Sequence, residues 1–476
     1  MEKAREGFEQ ALFRVIDTLE RGIAQGSTIA LVSHYDADGL CSVSIIARML
    51  SEEGVYFQIK IVEQITPLTI DELKQLSADI FIFTDLGSGS KELLKSLIKQ
   101  AKLIVILDHH QPSSGGDGEF VEVNPHYYGI NGSCEVSASG IAYMVARKFK
   151  EDLAPLCTLA IVGALGDRQD VGARFSLIGL NRRILEEAKR LRLVEEEIGL
   201  RLYGLRQRPL VKALAYTMDP FIPGITGNET ASFNFLKSIG INPVKDSELR
   251  LASDLSPEEV RKLATALVKY MLKQGLPANE AERIFGMNYY ILTESSTSPL
   301  RDAREFAQIL NACGRLGYYG TGIGLCIGRR GAYLVRAIDH VSEYRRILAS
   351  VLDRIRKERE QIAKVYSGII YINLGDVVNE RITGAIASLL SSSRSFKGEG
   401  KVLLVAAKMR GGMLKISARK IDEENGVNLG VVLEEAAKAV GGFGGGHANA
   451  GGAAIPEKAL SKFVEALKIR IKHQVS

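Results

Sequence analysis

The sequence has no tryptophan, only 12 prolines, and five cysteines that stand far apart and never in a CxxC spacing. The odd, scattered cysteines (Cys41, Cys134, Cys157, Cys313 and Cys326) exclude a disulfide-stapled scaffold, argue against a structural zinc site and suit a reducing compartment. No apolar run approaches the roughly 20 residues that cross a bilayer, the Leu156–Leu165 run being about half that. Neither charge sign dominates, since 61 Lys+Arg against 56 Asp+Glu leave a formal +5. That balance permits a nucleic-acid partner without requiring one. The N-terminus lacks the apolar centre of a signal peptide. Its Phe8, Leu12, Val15, Ile16 and Leu19 fall at helical spacing and predict a surface helix packing one face. A cytoplasmic protein with no membrane partner is expected. What is present is 476 residues, 46% hydrophobic and 25% charged, enough for two or three domains of roughly 150 residues each.

Short apolar runs alternate with amphipathic segments through the first 110 residues. Thr28–Ser33, Tyr56–Val62, Ile80–Thr84 and Leu103–Leu107 read as strands, with helices near Leu40–Leu50 and Lys91–Lys99 between them. Strands spaced by helices predict an α/β fold with a parallel sheet covered on both faces, and ligands at the strands' carboxyl ends. The first domain extends to about residue 340, mostly helical beyond 150, with an insertion near 210–295 marked by Pro209, Pro220, Pro223, Gly224, Gly227 and Pro243. Dense alternating charge predicts a solvated connecting helix over 341–366. A smaller α/β domain is expected over 367–476.

The apolar elements end alike. Leu31–Ser33 is followed by His34-Tyr35-Asp36-Ala37-Asp38-Gly39, Ile80–Thr84 by Asp85, Leu103–Leu107 by Asp108-His109-His110, and the apolar helix Leu156–Leu165 by Gly166-Asp167. Singly, each Asp fits a turn former or helix N-cap. Together, at one sheet edge, they would repel strongly unless a cation neutralised them. Carboxylates with one or two imidazoles suit two Mn²⁺ or Mg²⁺ ions sharing a bridging carboxylate, an arrangement used for in-line attack on phosphorus. His34 reads either as a ligand or as a partner of one.

The stretch Gly441–Gly452 is too glycine-rich to read as a strand or helix core. Its glycines, among them Gly445 and Gly446, let backbone N–H groups approach an anion, and His447 and Asn449 are embedded in it. Lys415, Ser417 and Arg419 alternate along the adjoining strand and share one face. They form either a row of phosphate contacts or the solvated face of an edge strand.

Taken in order, Asp36-Ala-Asp38-Gly, Asp85, Asp108-His109-His110, Asp167 and Gly444-Gly-Gly-His447-x-x-Ala-Gly451-Gly452 resemble the DHH phosphoesterase superfamily with its associated C-terminal domain. Asn311-Ala312-Cys313-Gly314-Arg315-Leu316-Gly317 resembles a segment of RecJ exonucleases, and the insertion and length resemble the archaeal branch that includes the GINS-associated nuclease. The resemblance implies Asp36, Asp38, Asp85, His109 and Asp167 as ligands of two Mn²⁺ ions, with Asp85 bridging and Mg²⁺ as the substitute. It implies His110 at the scissile phosphate and Asp108 orienting the imidazoles. It also implies His447, Ser417 and Arg419 on the substrate's phosphates, and Arg315 on the nucleic-acid backbone. The expected activity is a single-strand-specific exonuclease, 5′ to 3′ on DNA, with single-stranded RNA a further substrate and GINS a partner. The alternatives are a phosphodiesterase for oligonucleotides or cyclic dinucleotides, and a replisome scaffold binding GINS.

Overall fold

Strand order decides where the carboxylates end up. In the computed structural model, α1 (Glu2–Ala24) buries Phe8, Leu12, Val15 and Leu19, the face their spacing predicts. There follow β1 (Ile29–His34), α2 (Ala37–Glu52), β2 (Phe57–Val62), α3 (Pro67–Lys74), β3 (Ile80–Thr84), α4 (Lys91–Ile98), β4 (Leu103–Leu107) and β5 (Val121–Val123). All five strands pair in parallel, in the order β2-β1-β3-β4-β5. Residues of both parities in β3 are buried, as a sheet covered on two faces requires. Phe81, Phe83, Ile104 and Ile106 pack with Leu73, Leu94 and Leu97 from α3 and α4. β1, β3 and β4 are thus neighbours, and their carboxyl ends share one edge. The structure describes residues 2–98, 100–113, 119–366, 368–392, 396, 398–421, 426–446 and 448–475.

The chain forms two compact units, Met1–Gln207 with Phe285–Val341 and Arg208–Ile284 with Ser342–Ser476. The first unit continues through α5 (Ala138–Phe149), α6 (Cys157–Gly166), α7 (Gly179–Arg190) and β6 (Val194–Leu200). The excursion into the second unit holds α8 (Leu210–Tyr216), α9 (Glu229–Ser238), the two-residue strands β7 (Val244–Lys245) and β8 (Glu248–Leu249), α10 (Pro257–Lys273) and α11 (Ala278–Glu282). The chain then returns as β9 (Phe285–Ile291), antiparallel to β6, so the end of the expected insertion belongs to the first unit. After α12 (Ala303–Leu316) and α13 (Tyr319–Cys326), α14 (Ala332–Lys357) leads on into the second unit.

The connecting helix does not reach residue 366. After α15 (Arg359–Ile362), the chain becomes β10 (Ala363–Tyr366), because Val365 and Tyr366 follow the charge-dense turns and pair with β11 (Ile369–Asn373). Then come α16 (Thr383–Ser392), β12 (Val402–Met409), β13 (Met413–Lys420), α17 (Leu429–Lys438), β14 (Phe443–Gly446), β15 (Ala450–Pro456) and α18 (Leu460–Val475). The sheet order is β10-β11-β12-β13-β15-β14, which makes β13 an interior strand and not an edge. Leu414, Ile416 and Ala418 face a core with Leu433, Phe463 and Leu467. The glycine-rich stretch is a pair of strands after all. Glycine serves here because α17 lies against β14: a Cβ on Gly444 would stand 2.6 Å from the Leu433 carbonyl oxygen, and one on Gly430 2.2 Å from that of Gly446.

Candidate metal centre

Each acidic side chain is fixed by the local structure that follows its strand or helix. His34 ends β1, and Asp36 is the N-cap of α2, its Oδ1 accepting the Gly39 N–H at 3.0 Å. The N-cap reading of Asp36 therefore holds. Its second oxygen, Oδ2, nevertheless lies 2.9 Å from His34 Nδ1. Asp38, buried in the first turn of α2, accepts the N–H groups of Ala138 (2.7 Å) and Ser139 (3.0 Å) at the start of α5. Unpaired N–H groups at a helix start favour an anion.

Asp85 follows β3 in the left-handed region at φ 62°, with its N–H donated to the Leu107 carbonyl at 3.0 Å. Aspartate is among the few residue types that tolerate this conformation. Asp108 follows β4 and is saturated by protein donors. It accepts from the Ser88 N–H (3.0 Å), the His109 N–H (2.8 Å) and His110 Nδ1 (2.8 Å). Asp167 caps the C-terminus of α6.

These groups converge in three overlapping sets that all contain Asp85, one of them formed with His109 and His110. Asp38, Asp85, His109 and Asp167 offer ligand atoms within 4.8 Å of one another, and so do His34, Asp36 and Asp85. His109 Nε2 is 3.2 Å from Asp85 Oδ1, 3.2 Å from Asp167 Oδ2 and 3.9 Å from Asp38 Oδ2. Asp85 Oδ2 is 3.6 Å from His34 Nδ1. His110 also approaches Asp85, at 3.9 Å, but its Nδ1 belongs to Asp108 and its side chain is 43% exposed.

The electrostatics are those of a site short of positive charge. Burial, with Asp85 and Asp167 close by, pushes the Asp38 carboxyl up to about 8. Burial and Asp36 likewise raise Asp85. Burial alone would lower His34 and His109. The carboxylate of Asp36 for the one, and those of Asp167 and Asp85 for the other, instead hold both imidazoles well above the usual range. Asp108 is buried too, yet His110 holds it well below the ordinary carboxylate range. Both oxygens of Asp85 and Nε2 of His109 are buried without a hydrogen-bond partner. Buried polar atoms left this way are costly unless something else meets them. A hard-to-borderline divalent cation suits such a donor set of carboxylate oxygens and imidazole nitrogens, so the residues present fit a divalent metal centre.

The sequence alone does not disclose what orients His109. Its Nδ1 donates to the Gly132 carbonyl at 2.7 Å, which leaves Nε2 bare toward Asp85. Buried Gln169 donates to the same carbonyl at 2.9 Å, and Asn181 holds Gln169 at 2.6 Å. Asp108 thus orients the ring of His110, while a backbone carbonyl and an amide pair orient His109. Neutral amides two and fourteen residues beyond Asp167 carry no sequence signal of this role.

The remaining site candidates lie elsewhere. Arg315 is a partly buried residue of α12 in the first unit. In the second unit, Ser417 is buried with its Oγ 2.8 Å from Thr383 Oγ1, and Arg419 Nε donates to Ser388 Oγ at 2.9 Å. Both therefore face α16. Gly445 and Gly446 pair with Gly452 and Gly451, and the carbonyl of Asn449 accepts the Lys420 N–H at 3.2 Å. His447 lies outside the described residues. Among the described residues no helix is long and apolar enough to cross a membrane.

Residues 28–164 match the DHH family, N-terminal domain, residues 202–285 the DHH-CID domain, and residues 365–473 the DHHA1 domain. An uncharacterized protein of Methanocaldococcus jannaschii is 30% identical over 446 residues, covering 92% of this chain and 91% of that protein. The single-stranded-DNA-specific exonuclease RecJ of Thermus thermophilus is 27% identical over 206 residues, 42% of this chain and 29% of RecJ. The structure of that RecJ with Mn²⁺ superposes with a TM-score of 0.57 at 15% identity, over 97% of this chain and 55% of RecJ. This chain thus spans about half of the RecJ chain. CDC45 from Entamoeba histolytica superposes with a TM-score of 0.65 at 13% identity, over 97% and 99% of the two chains. At those identities the two structures establish likeness of fold.

Proposed function

The chain belongs to the DHH phosphoesterase superfamily as a RecJ-like protein, and on that footing we propose that it is a metal-dependent exonuclease that degrades single-stranded DNA from 5′ to 3′. The observation that carries this reading is the pair of ligand groups that share Asp85. Asp38, Asp85, His109 and Asp167 would hold one Mn²⁺ or Mg²⁺ ion, and His34, Asp36 and Asp85 the other. Bound there, two such ions supply the positive charge and Lewis acidity that phosphodiester hydrolysis requires. His110, held through Nδ1 by Asp108 and partly exposed, would meet the scissile phosphate and hand a proton to the leaving oxygen. In the second unit, Arg419, the N–H groups near Gly445 and Gly446, Asn449 and His447 would bind the strand's phosphates, with Ser417 supporting Arg419's strand. Arg315 would contact the backbone from the first unit.

The test is digestion of 5′-labelled strands in Mn²⁺, with wild type beside Asp38→Ala and His109→Ala. The proposal expects single nucleotides released from single strands of DNA tens of nucleotides long, a poor reaction on duplex, and both variants inactive. An RNA strand in the same series measures the further substrate. Cleavage that stops beyond a few nucleotides would replace the exonuclease with a phosphodiesterase of short oligonucleotides or cyclic dinucleotides. A scaffold role beside GINS is supported by likeness of fold alone, and it would leave the ligand set without a use. Full activity in both variants would end the metal-centre reading.

A further inference from the structure

The segment Asn311–Arg315 lies in α12, and two of its residues meet the loop that carries the metal ligands. Ala37 is the first helical residue of α2, so its N–H is one of those with no partner inside the helix. It donates instead to Asn311 Oδ1 at 3.1 Å, across 274 residues of sequence. One turn further along α12, a Cβ on Gly314 would stand 1.7 Å from the Tyr35 carbonyl oxygen, so the two backbones lie in direct contact there. Positions i and i+3 share a helix face. The face of α12 that carries Asn311 and Gly314 therefore grips Tyr35 and Ala37, the residues on either side of Asp36.

The two acids of this loop are held by different means. Asp38 has its own anchor in the Ala138 and Ser139 N–H groups of α5. Among the described residues Asp36 has the Gly39 N–H on one oxygen and His34 Nδ1 2.9 Å from the other, both from its own loop, so the direction of that second oxygen depends on where residues 34–37 sit. The far end of α12 is anchored as well. Asp302 caps its N-terminus through the Arg304 and Glu305 N–H groups, and Arg304 pairs at 3.1 Å with Asp170, three residues beyond Asp167.

We propose that Asn311 and Gly314 are positioning residues that fix the loop 35–37 and so set the His34–Asp36–Asp85 ion site, while the Asp38–Asp85–His109–Asp167 site stands without them. The inference rests on the two-ion reading given above. It assigns this segment a part in building the metal centre, distinct from any contact of Arg315 with nucleic acid.

Calorimetric titration of Mn²⁺ into the metal-free full chain tests it. Wild type should bind two ions. Asn311→Ala should keep one ion near wild-type affinity and bind the other about 10- to 100-fold more weakly, the usual scale for losing a group that orients ligands. Asn311→Ser, too short to reach Ala37, should give the same selective loss and supplies the result if the alanine variant fails to fold. Asn311→Asp, which keeps an acceptor at the same reach, should recover the second ion. Two wild-type sites left unchanged in Asn311→Ala and Asn311→Ser, or weakened equally, overturn the inference alone. A wild-type chain that binds no Mn²⁺ sinks the two-ion reading, and this inference with it.

Discussion

His109 Nε2 stands 3.2 Å from Asp85 Oδ1, yet burial and the neighbouring Asp36 still disfavour the charged form of that carboxyl. A folded chain holds such a charge in its interior only at a cost. Removing the acid should therefore stabilise the empty protein while abolishing its response to metal. Metal-free Asp85→Asn is expected to melt above metal-free wild type. Saturating Mn²⁺ should raise only the wild type, by about 2.7 kcal/mol at a hundred times the dissociation constant. Turnover of the variant should fall by roughly 10³-fold, the scale of losing a principal electrostatic stabiliser. Differential scanning calorimetry with and without Mn²⁺ reads the stability effect.

The same cluster makes stability depend on pH in a definite direction. Asp38 titrates near 8, pushed up by burial and by Asp85 and Asp167, and His34, His109 and His110 are raised by their carboxylate partners against the effect of burial. In each case the folded chain holds a proton that the unfolded chain has released or releases sooner. The unfolded state thus binds fewer protons, and stability falls as pH rises. For Asp38 the decline begins above its unfolded value near 4 and ends near 8. For the imidazoles it begins above about 6.5. Metal-free protein should therefore melt lower at pH 8 than at pH 6, and Mn²⁺ should remove most of that difference by displacing the protons. Equal melting temperatures at the two pH values in chelator would contradict this assignment of charges.

Gln169 is expected to matter despite carrying no charge. Gln169→Leu removes the second donor to the Gly132 carbonyl and takes away the oxygen that accepts the Asn181 amide N–H. Mn²⁺ affinity and turnover should fall by about 10- to 100-fold. Asn181→Leu acts one bond further from His109 and should cost less. Titration calorimetry on both variants measures the order.

These examples separate what the sequence disclosed from what it hid. β1, β3 and β4 were legible because strands covered on both faces are unbroken apolar runs, and the acids and imidazoles stand directly after them. β6 escaped because Glu195, Glu196 and Glu197 mask its alternation. β14 escaped because its residues are chosen for how closely α17 approaches, a tertiary fact that glycine content alone renders as a loop. The Gly132 carbonyl belongs to the backbone and has no sequence signature. The bond from Ala37 to Asn311 joins residues 274 apart, and only the folded chain reveals it.

Arg419 gives a prediction for the second unit. Its guanidinium rests on Ser388 Oγ and on the carbonyls of Ala418 and Gly384. Arg419→Ala should raise KM for single-stranded DNA with kcat and Mn²⁺ affinity close to wild type. It should also flatten the salt dependence of binding by about one unit of slope, the mark of one lost phosphate contact. Fluorescence anisotropy across a salt series in calcium or chelator reads that slope without turnover.

Anomalous diffraction from crystals of the full chain grown with Mn²⁺ bears most directly on the metal centre. Two peaks should appear, one among Asp38, Asp85, His109 and Asp167 and one among His34, Asp36 and Asp85. Peaks only at other positions, or none beside Asp85, would contradict the account.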